Sequence, residues 1–457
     1  MINDNKLLKK YNVPTPRYTS YPPANFFTFD FDYYKAIEAV NKSNEEIPEN
    51  ISFYLHIPFC SQLCYYCGCN TVITKDKNII SDYVEVLKKE ILLYKEHLSA
   101  DRKISQIHWG GGTPDYLDIS QIKDIIQVFY ENFNFIENPE IAMECHPAHL
   151  TYDFMNLSAD LGFNRLSIGI QDFSEDVLNN VNRALPNLPV EDLVSFLHNK
   201  GISVNLDFVY GLPGQTLESF RHTIQKAADI SPDRLALFSY AHVPWVKTHQ
   251  KILERYNLPD AELKTKLFDE AYKILTENGY ISIGLDHFAK PEDELSQASE
   301  NKMLSRNFQG YCTRRTTGQV YALGISGISQ LSNVYLQNTK DLTVYKSQIE
   351  KGIFPFEKVY FLNKNEKIIG YIITEIMSNR YISFNTVEKR FNILYDEILS
   401  ITELNIDKLK EFENEGLVFL TGKEIFVTHK GMFFLRNIAA LFDPLFKNTE
   451  KKFSKSL

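Results

Sequence analysis

The sequence predicts an α/β fold: a partial, TIM-like (β/α)6 barrel with extra strands, followed by a smaller, mostly helical C-terminal domain. Three observations carry this. From residue 51 short apolar strands alternate with amphipathic helical patterns six times, which implies a parallel sheet with right-handed crossovers. Polar residues and glycines stand at nearly every strand's C-terminal end, where barrel folds build their sites. Beyond about residue 355 the texture turns to short helices and a hairpin. The chain of 457 residues thus divides into an N-terminal arm (1–50), a barrel with its extension (51–345) and a C-terminal cover (355–457).

Composition sets the outer bounds. With 44% apolar and 13% aromatic residues the chain can bury a sizeable core, and no stretch approaches the ~20 uninterrupted apolar residues of a membrane span. The opening Met-Ile-Asn-Asp-Asn-Lys lacks the apolar region of a signal peptide, so a cytoplasmic address is expected. A net charge of −9 excludes a general nucleic-acid surface. An acidic substrate must therefore meet a local basic patch.

Taken in order, the chain begins with a helical stretch at 6–11 and then Thr15-Pro16-Arg17-Tyr18-Thr19-Ser20-Tyr21-Pro22-Pro23. Each proline restricts its own φ and its predecessor's conformation, so an extended arm across another surface is expected. Strands are predicted at 51–57, 104–109, 140–145, 164–171, 202–210 and 234–240. Between them Ile80, Tyr83, Val84, Leu87, Ile91 and Tyr94 share one helical face, as do Ile122, Ile125, Ile126, Phe129 and Phe133. Two further strands, 281–288 and 319–328, follow a helix at 261–278 and extend the sheet. Helical patterns then fall at 366–376, 385–391 and 406–415, with a hairpin pairing 417–420 and 425–427 and a helix at 430–441. That order resembles a winged helix. Its segment 385–391 offers only Lys389 and Arg390 beside Glu388, too little for reading DNA, so a lid over the barrel mouth is expected.

Four of the six cysteines lie in the stretch 54–70, Tyr-Leu-His-Ile-Pro-Phe-Cys-Ser-Gln-Leu-Cys-Tyr-Tyr-Cys-Gly-Cys-Asn. Cys60, Cys64 and Cys67 have the spacing C-x3-C-x2-C, which lets three thiolates converge from one loop on an iron–sulfur cluster. A four-iron cluster held by three cysteines keeps one iron open, as a site that performs chemistry needs. S-adenosylmethionine is the candidate partner for that iron. Zinc is an alternative, since Cys64-x2-Cys67 is half of a ribbon site, although no second C-x2-C or H-x3-H pair stands elsewhere. A disulfide is the other, and reducing compartments keep such thiols apart.

The strand ends carry matching chemistry. After the second comes Gly110-Gly111-Gly112-Thr113-Pro114, whose absent side chains let a ligand approach backbone N–H groups. The third ends at Glu144, the fourth at Gln171-Asp172, and the fifth carries Asp207. Acceptors aimed at one cavity suit a ligand with an ammonium and ribose hydroxyls. A tight turn and strand-end ion pairs are the plainer alternatives for each taken singly.

The cysteine loop after a strand, with Cys67-Gly68-Cys69 and the flanking text at 54–60, resembles the radical S-adenosylmethionine superfamily. Within it the chain is similar over nearly its whole length to the oxygen-independent coproporphyrinogen III oxidases of haem biosynthesis. The resemblance implies a [4Fe–4S] cluster on Cys60, Cys64 and Cys67, with Tyr54, Gly111, Glu144 and Ile328 holding S-adenosylmethionine on it. It implies a second S-adenosylmethionine on Tyr66, Gly112, Thr113, Gln171, Arg183, Asp207 and Ala241, and catalytic roles for Cys69 and Tyr54. Arg17, in a Pro-Arg-Tyr-Thr-Ser-Tyr-Pro segment that lies near the family's active site, is a candidate partner for a substrate carboxylate. The implied reaction cleaves the sulfonium to methionine and a 5′-deoxyadenosyl radical, which takes hydrogen from the β-carbon of a propionate. Loss of carbon dioxide and one electron leaves a vinyl group, and two rounds give protoporphyrinogen IX.

The chain departs from the family pattern at 312–319, Cys-Thr-Arg-Arg-Thr-Thr-Gly-Gln, and at Glu144-Cys145-His146-Pro147. Both are expected near the substrate, where Arg314 and Arg315 are candidate carboxylate partners. His242 and His287 stand at strand ends; a structural role is the plainer one for either, and His287, after Asp286, is a candidate proton donor. The partners implied are coproporphyrinogen III and a reduced flavodoxin- or ferredoxin-type electron donor, with a monomer expected. A haem-binding chaperone or an anaerobic haem-degrading radical enzyme on the same scaffold is the rival, against which Cys69 and the 16–22 arm argue.

Overall fold

The structure, a computed structural model, describes residues 5–456; the first four residues of the arm and Leu457 lie outside them. Among the described residues one sheet of twelve strands carries the fold. Its centre consists of β1 (Ile51–Ile57), β2 (Lys103–Gly111), β3 (Asn134–Cys145), β4 (Arg165–Gln171), β5 (Ser203–Tyr210) and β6 (Arg234–Ser239), side by side in chain order and parallel. Gln319–Leu323 adds a further parallel strand on the outer side of β1. The expected partial α/β barrel with extra strands is therefore present.

Alternation along each strand sorts residues between two environments. Phe53, Leu55 and Ile57 on β1, Ile107 and Trp109 on β2, and Leu206 and Phe208 on β5 are buried. They join one core with Leu87, Ile91 and Tyr94 of helix Lys77–His97 and with Ile122, Ile125 and Phe129 of helix Ile119–Asn132. Burying each such side chain stabilises by about 1.5–3 kcal/mol. The intervening positions, among them Gln106, His108, Glu144, Arg165, Ser167 and Asp207, face a polar lumen.

Salt bridges close that lumen at the N-terminal ends of the strands. Arg165 Nε donates to Glu140 at 2.9 Å and Arg234 Nε to Asp293 at 2.8 Å. Burial pushes the Glu140 carboxyl up, but Arg165 and Arg234 outweigh it and hold it down at about 2. The turn after Thr313 seals the same end, where Ser105 Oγ donates to Thr316 O at 2.9 Å.

Two predicted strands break. Residues 281–288 become an antiparallel hairpin of Ile281–Ile283 and His287–Ala289 beside β6. Gly284 makes that turn at φ +52°, where a Cβ would stand 2.1 Å from the Tyr311 ring. Residues 319–328 split into Gln319–Leu323 and an antiparallel Ile328–Gln330, because the turn between them is tied down by the Gly324 N–H donating to buried Glu90 at 2.7 Å.

The arm is more than an extended strap. Helix Tyr33–Lys42, unforeseen in the sequence, is capped by Asp32, which accepts the Lys35 N–H at 3.2 Å. The C-terminal part has helices Lys364–Asn379, Phe384–Phe391, Tyr395–Thr402 and Ile406–Asn414, then a three-stranded sheet in which Tyr381–Ser383 joins the expected hairpin. The helix expected at 430–441 splits into His429–Met432 and Leu435–Ala440. Between the two pieces Phe433 packs on Phe268 and Phe434 on Tyr11. This part pins the arm: Arg436 donates to the Thr15 and Pro16 carbonyls, and the Tyr18 hydroxyl donates to Asp443 at 2.9 Å. Among the described residues no helix is long and apolar enough to cross a membrane.

Candidate active site

β1 leads directly into the cysteine loop, whose base is closed by Phe59–Cys60 pairing with Val72–Ile73. The loop's carbonyls are taken up by neighbours. Lys247 Nζ donates to Cys69 O at 2.7 Å, Gln250 to Tyr66 O at 3.0 Å and Asn182 to Leu63 O at 2.8 Å, while His249 Nε2 lies 2.9 Å from Cys67 O. Such satisfaction fixes an otherwise irregular backbone. Cys60, Cys64, Cys67 and Cys69 are all free thiols. They line one cavity of about 210 Å3 together with Gly111, Gly112, Thr113, Glu144, Gln171, Arg183 and Asp207.

The glycine triplet is required by close approach. A Cβ on Gly112 would stand 2.6 Å from the Pro58 carbonyl carbon, so the loop can cross β2 only where that side chain is missing. The Gly111 N–H donates to Glu144 at 3.2 Å, and His108 Nε2 lies 3.1 Å from the same carboxylate. Burial pushes the Glu144 carboxyl up; His108 and the Gly111 N–H outweigh it and hold the group below its ordinary range. Its side chain keeps 41% of its surface, which opens on the cavities it lines.

Opposite stands Arg183, donating to the Tyr66 hydroxyl at 3.0 Å, to Cys64 Sγ at 3.6 Å and to Gly169 O. Asp207 accepts from Ser167 Oγ at 2.8 Å and from Asn205 at 2.6 Å. Burial, reinforced by Glu144, raises its carboxyl to about 6. Gln171 sits at φ +70° and turns the chain at the end of β4. Asp172, by contrast, is spent on Gln215 at 2.7 Å and Thr223 at 2.6 Å, a structural network.

Not every expected site residue reaches this cavity. Tyr54 faces the lumen, its hydroxyl 3.1 Å from His56 Nδ1 and its ring stacked on His108 at 6.1 Å. Ile328 opens the strand Ile328–Gln330, which lies between Gln319–Leu323 and Val334–Asn338, and Ala241 follows β6 in the loop that Gln250 holds by accepting the Val243 N–H at 2.7 Å. His242 is used structurally, with Nδ1 2.9 Å from the Tyr240 hydroxyl and Nε2 3.1 Å from Glu254. His287 pairs with Asp286 at 2.7 Å and faces both the lumen and a second cavity. That cavity, of about 260 Å3, lies at the ends of β5 and β6, and Arg17 lines it while donating to Ser239 O at 3.4 Å.

The arginine pair is engaged in ion pairs. Arg314 forms an ion pair with Glu375 of helix Lys364–Asn379. Arg315 donates to Glu294 at 2.8 Å and to Asn138 O at 3.1 Å. Arg314 also lines a further cavity of about 570 Å3 together with Tyr18, Arg306 and Arg390. Sequence reasoning gave no role to His56, His108, Lys247 or Arg306, although the first two fall on the inward positions of β1 and β2 that strict alternation marks.

The residues present fit a cluster and its ligand. Three free thiols of one loop face a cavity whose other side offers Glu144 and Asp207, a set suited to an iron–sulfur cluster with an amino-acid-bearing partner. Among the described residues no group of three or more His, Cys, Asp or Glu side chains is gathered for a single metal ion.

Comparison with known proteins gives the following. The model of the radical SAM superfamily matches residues 54–227. The chain is 39% identical over 457 residues to an oxygen-independent coproporphyrinogen III oxidase of Synechocystis sp., covering 99% of this chain and 97% of the relative. It is 37% identical to that of Escherichia coli, covering 96% and 95%, and 36% identical to that of Helicobacter pylori, covering 99% of each. A solved structure, coproporphyrinogen III oxidase from Escherichia coli, described as a radical SAM enzyme, superimposes with a TM-score of 0.88 at 35% identity over 96% of this chain and 98% of that one.

Proposed function

This chain belongs to the oxygen-independent coproporphyrinogen III oxidases of the radical SAM superfamily, and on that premise we propose how its own residues perform the reaction. It is an oxidoreductase of haem biosynthesis whose cofactors are a [4Fe–4S] cluster and S-adenosylmethionine. Its substrate is coproporphyrinogen III, two propionates of which become vinyl groups. The observation that carries this is the single cavity where Cys60, Cys64 and Cys67 face Glu144 and Asp207 at the open end of the barrel.

When bound, the reduced cluster and S-adenosylmethionine supply a 5′-deoxyadenosyl radical that takes a hydrogen atom from the substrate. The three thiolates hold the cluster, and Arg183, hydrogen-bonded to Cys64 Sγ, balances their charge. Glu144 accepts the cofactor ammonium, with its carboxylate kept ionised by His108 and the Gly111 N–H. Tyr54 orders the lumen wall through His56, and Cys69 stands at the cavity rim, anchored by Lys247. Tyr66, Gly112, Thr113, Gln171, Arg183, Asp207 and Ala241 take a second S-adenosylmethionine, with Ile328 closing on the first. Arg17 meets a substrate carboxylate, and the arm and C-terminal cover shut out water. The cover begins after Phe356–Phe361, since that strand still belongs to the large sheet. A reduced flavodoxin- or ferredoxin-type protein supplies electrons to a cytoplasmic monomer.

Anaerobically reconstituted protein incubated with coproporphyrinogen III tests this. Carbon dioxide and vinyl product are expected. Intact cluster with tight haem binding and no product would favour the chaperone, and consumption of haem the degrading enzyme.

A further inference from the structure

The cavity of about 260 Å3 between the arm and the ends of β5 and β6 has an unusual charge balance. Among the described residues Arg17, Lys264, Arg306 and Arg436 line it, against a single carboxylate, Asp286, which already pairs with His287 at 2.7 Å. Arg436 is committed to main-chain carbonyls of Thr15, Pro16 and Lys455. The other three cations are less engaged. Lys264 Nζ has one bond, to Tyr240 O at 3.1 Å, and Arg17 one long bond at 3.4 Å. Arg306 lies with its guanidinium 5.0 Å from the Tyr311 ring, and its Nε and Nη1 are buried without any hydrogen-bond partner. A buried cationic donor left unpaired is costly, so the constellation is complete only with an anion that accepts from it.

We propose that Arg306 and Lys264, together with Arg17, form the subsite that anchors the substrate carboxylates which survive the reaction. This rests on the reading of the substrate as a porphyrinogen with several propionates. Arg306 offers a planar guanidinium whose Nε and Nη1 have no partner, a donor suited to carboxylates. Lys264 and Arg17 grip another. Mutual repulsion supports the need for anions: burial lowers the Lys264 ammonium, and Arg17 and Arg436 lower it further, to about 8.

The position separates anchored from reacting groups. This cavity shares Phe238 and His287 with the lumen, and the lumen shares Glu144 and Asp207 with the cysteine cavity. A macrocycle held at the cation end can extend another propionate through the lumen toward the cluster. An ion pair stabilises the charge that decarboxylation destroys, so a carboxylate bound to Arg306 is protected while the free one reacts.

The holoenzyme with Arg306→Gln, Arg306→Lys or Lys264→Met tests this. For Arg306→Gln and Lys264→Met we expect the porphyrinogen KM to rise about ten- to a hundredfold, with kcat falling less and cluster absorbance as in the parent. Arg306→Lys is expected to recover part of the loss. Binding of coproporphyrin III, followed by its absorbance shift, should weaken in step, whereas its tetramethyl ester should bind weakly to parent and variants alike. Unchanged KM in both variants of an active parent would overturn the subsite while leaving the function standing. Equal binding of acid and ester by the parent would overturn it too, whether or not the parent turns over porphyrinogen.

Discussion

The two cavities at the open end of the barrel are built in opposite ways. The cysteine cavity takes its walls from one loop and the ends of neighbouring strands, and its charges are mixed, Glu144 and Asp207 against Arg183. The mouth cavity gathers residues from the arm, helix Ala261–Glu277, the hairpin turn at Asp286, strand Leu304–Asn307 and the C-terminal segment, and among the described residues four are cations against one carboxylate. The difference teaches that one fold offers two ligands two electrostatic environments a few strands apart. A cofactor carrying an ammonium is drawn to one and a polycarboxylate to the other.

The largest expected effect removes the first cavity's function outright. Cys60→Ala, Cys64→Ala and Cys67→Ala should each abolish the roughly four iron and four sulfide that anaerobic reconstitution gives the parent, measured by chemical analysis. Retained cluster in any of them would dissolve the contrast. Cys69→Ala is expected to keep the iron and sulfide yet lose turnover, because a fourth thiolate on the cluster would occupy the position S-adenosylmethionine needs; a cluster-free Cys69 variant would show otherwise.

Proton titration should separate the cavities next. Asp207, raised to about 6 by burial and Glu144, binds a cation only when ionised, so the KM for S-adenosylmethionine should climb as pH falls through about 6. Lys264, lowered to about 8 by burial and its arginine neighbours, binds an anion only when protonated. The porphyrinogen KM should therefore climb as pH rises through about 8. Pre-steady-state binding at fixed pH reads both, and a common profile for the two ligands would merge the sites. The smallest effect belongs to the closed end: Arg315→Ala breaks an exposed pair with Glu294 and should change thermal stability by under about 1 kcal/mol and leave both KM values alone.

How far the sequence reveals each cavity follows from how each is assembled. Cysteine spacing and a glycine triplet are local signals, and the period-two alternation of the strands already separates Phe53 and Leu55 from Tyr54 and His56. The mouth depends on long-range convergence. Arg306 and Arg314 are near neighbours in sequence, yet the hairpin between them sends one to the mouth and the other to Glu375. No local pattern in Cys-Thr-Arg-Arg marks those partners. The break at Gly284 is set likewise by a distant ring, Tyr311.

The division of labour between the cavities is tested most directly by a crossed measurement. Glu144→Gln and Arg17→Ala are each assayed for the KM of S-adenosylmethionine and of coproporphyrinogen III under anaerobic conditions. Glu144→Gln should raise only the first and Arg17→Ala only the second, each by about ten- to a hundredfold for one lost charge-assisted hydrogen bond. Equal shifts of both constants in either variant, or the reverse assignment, would contradict the account.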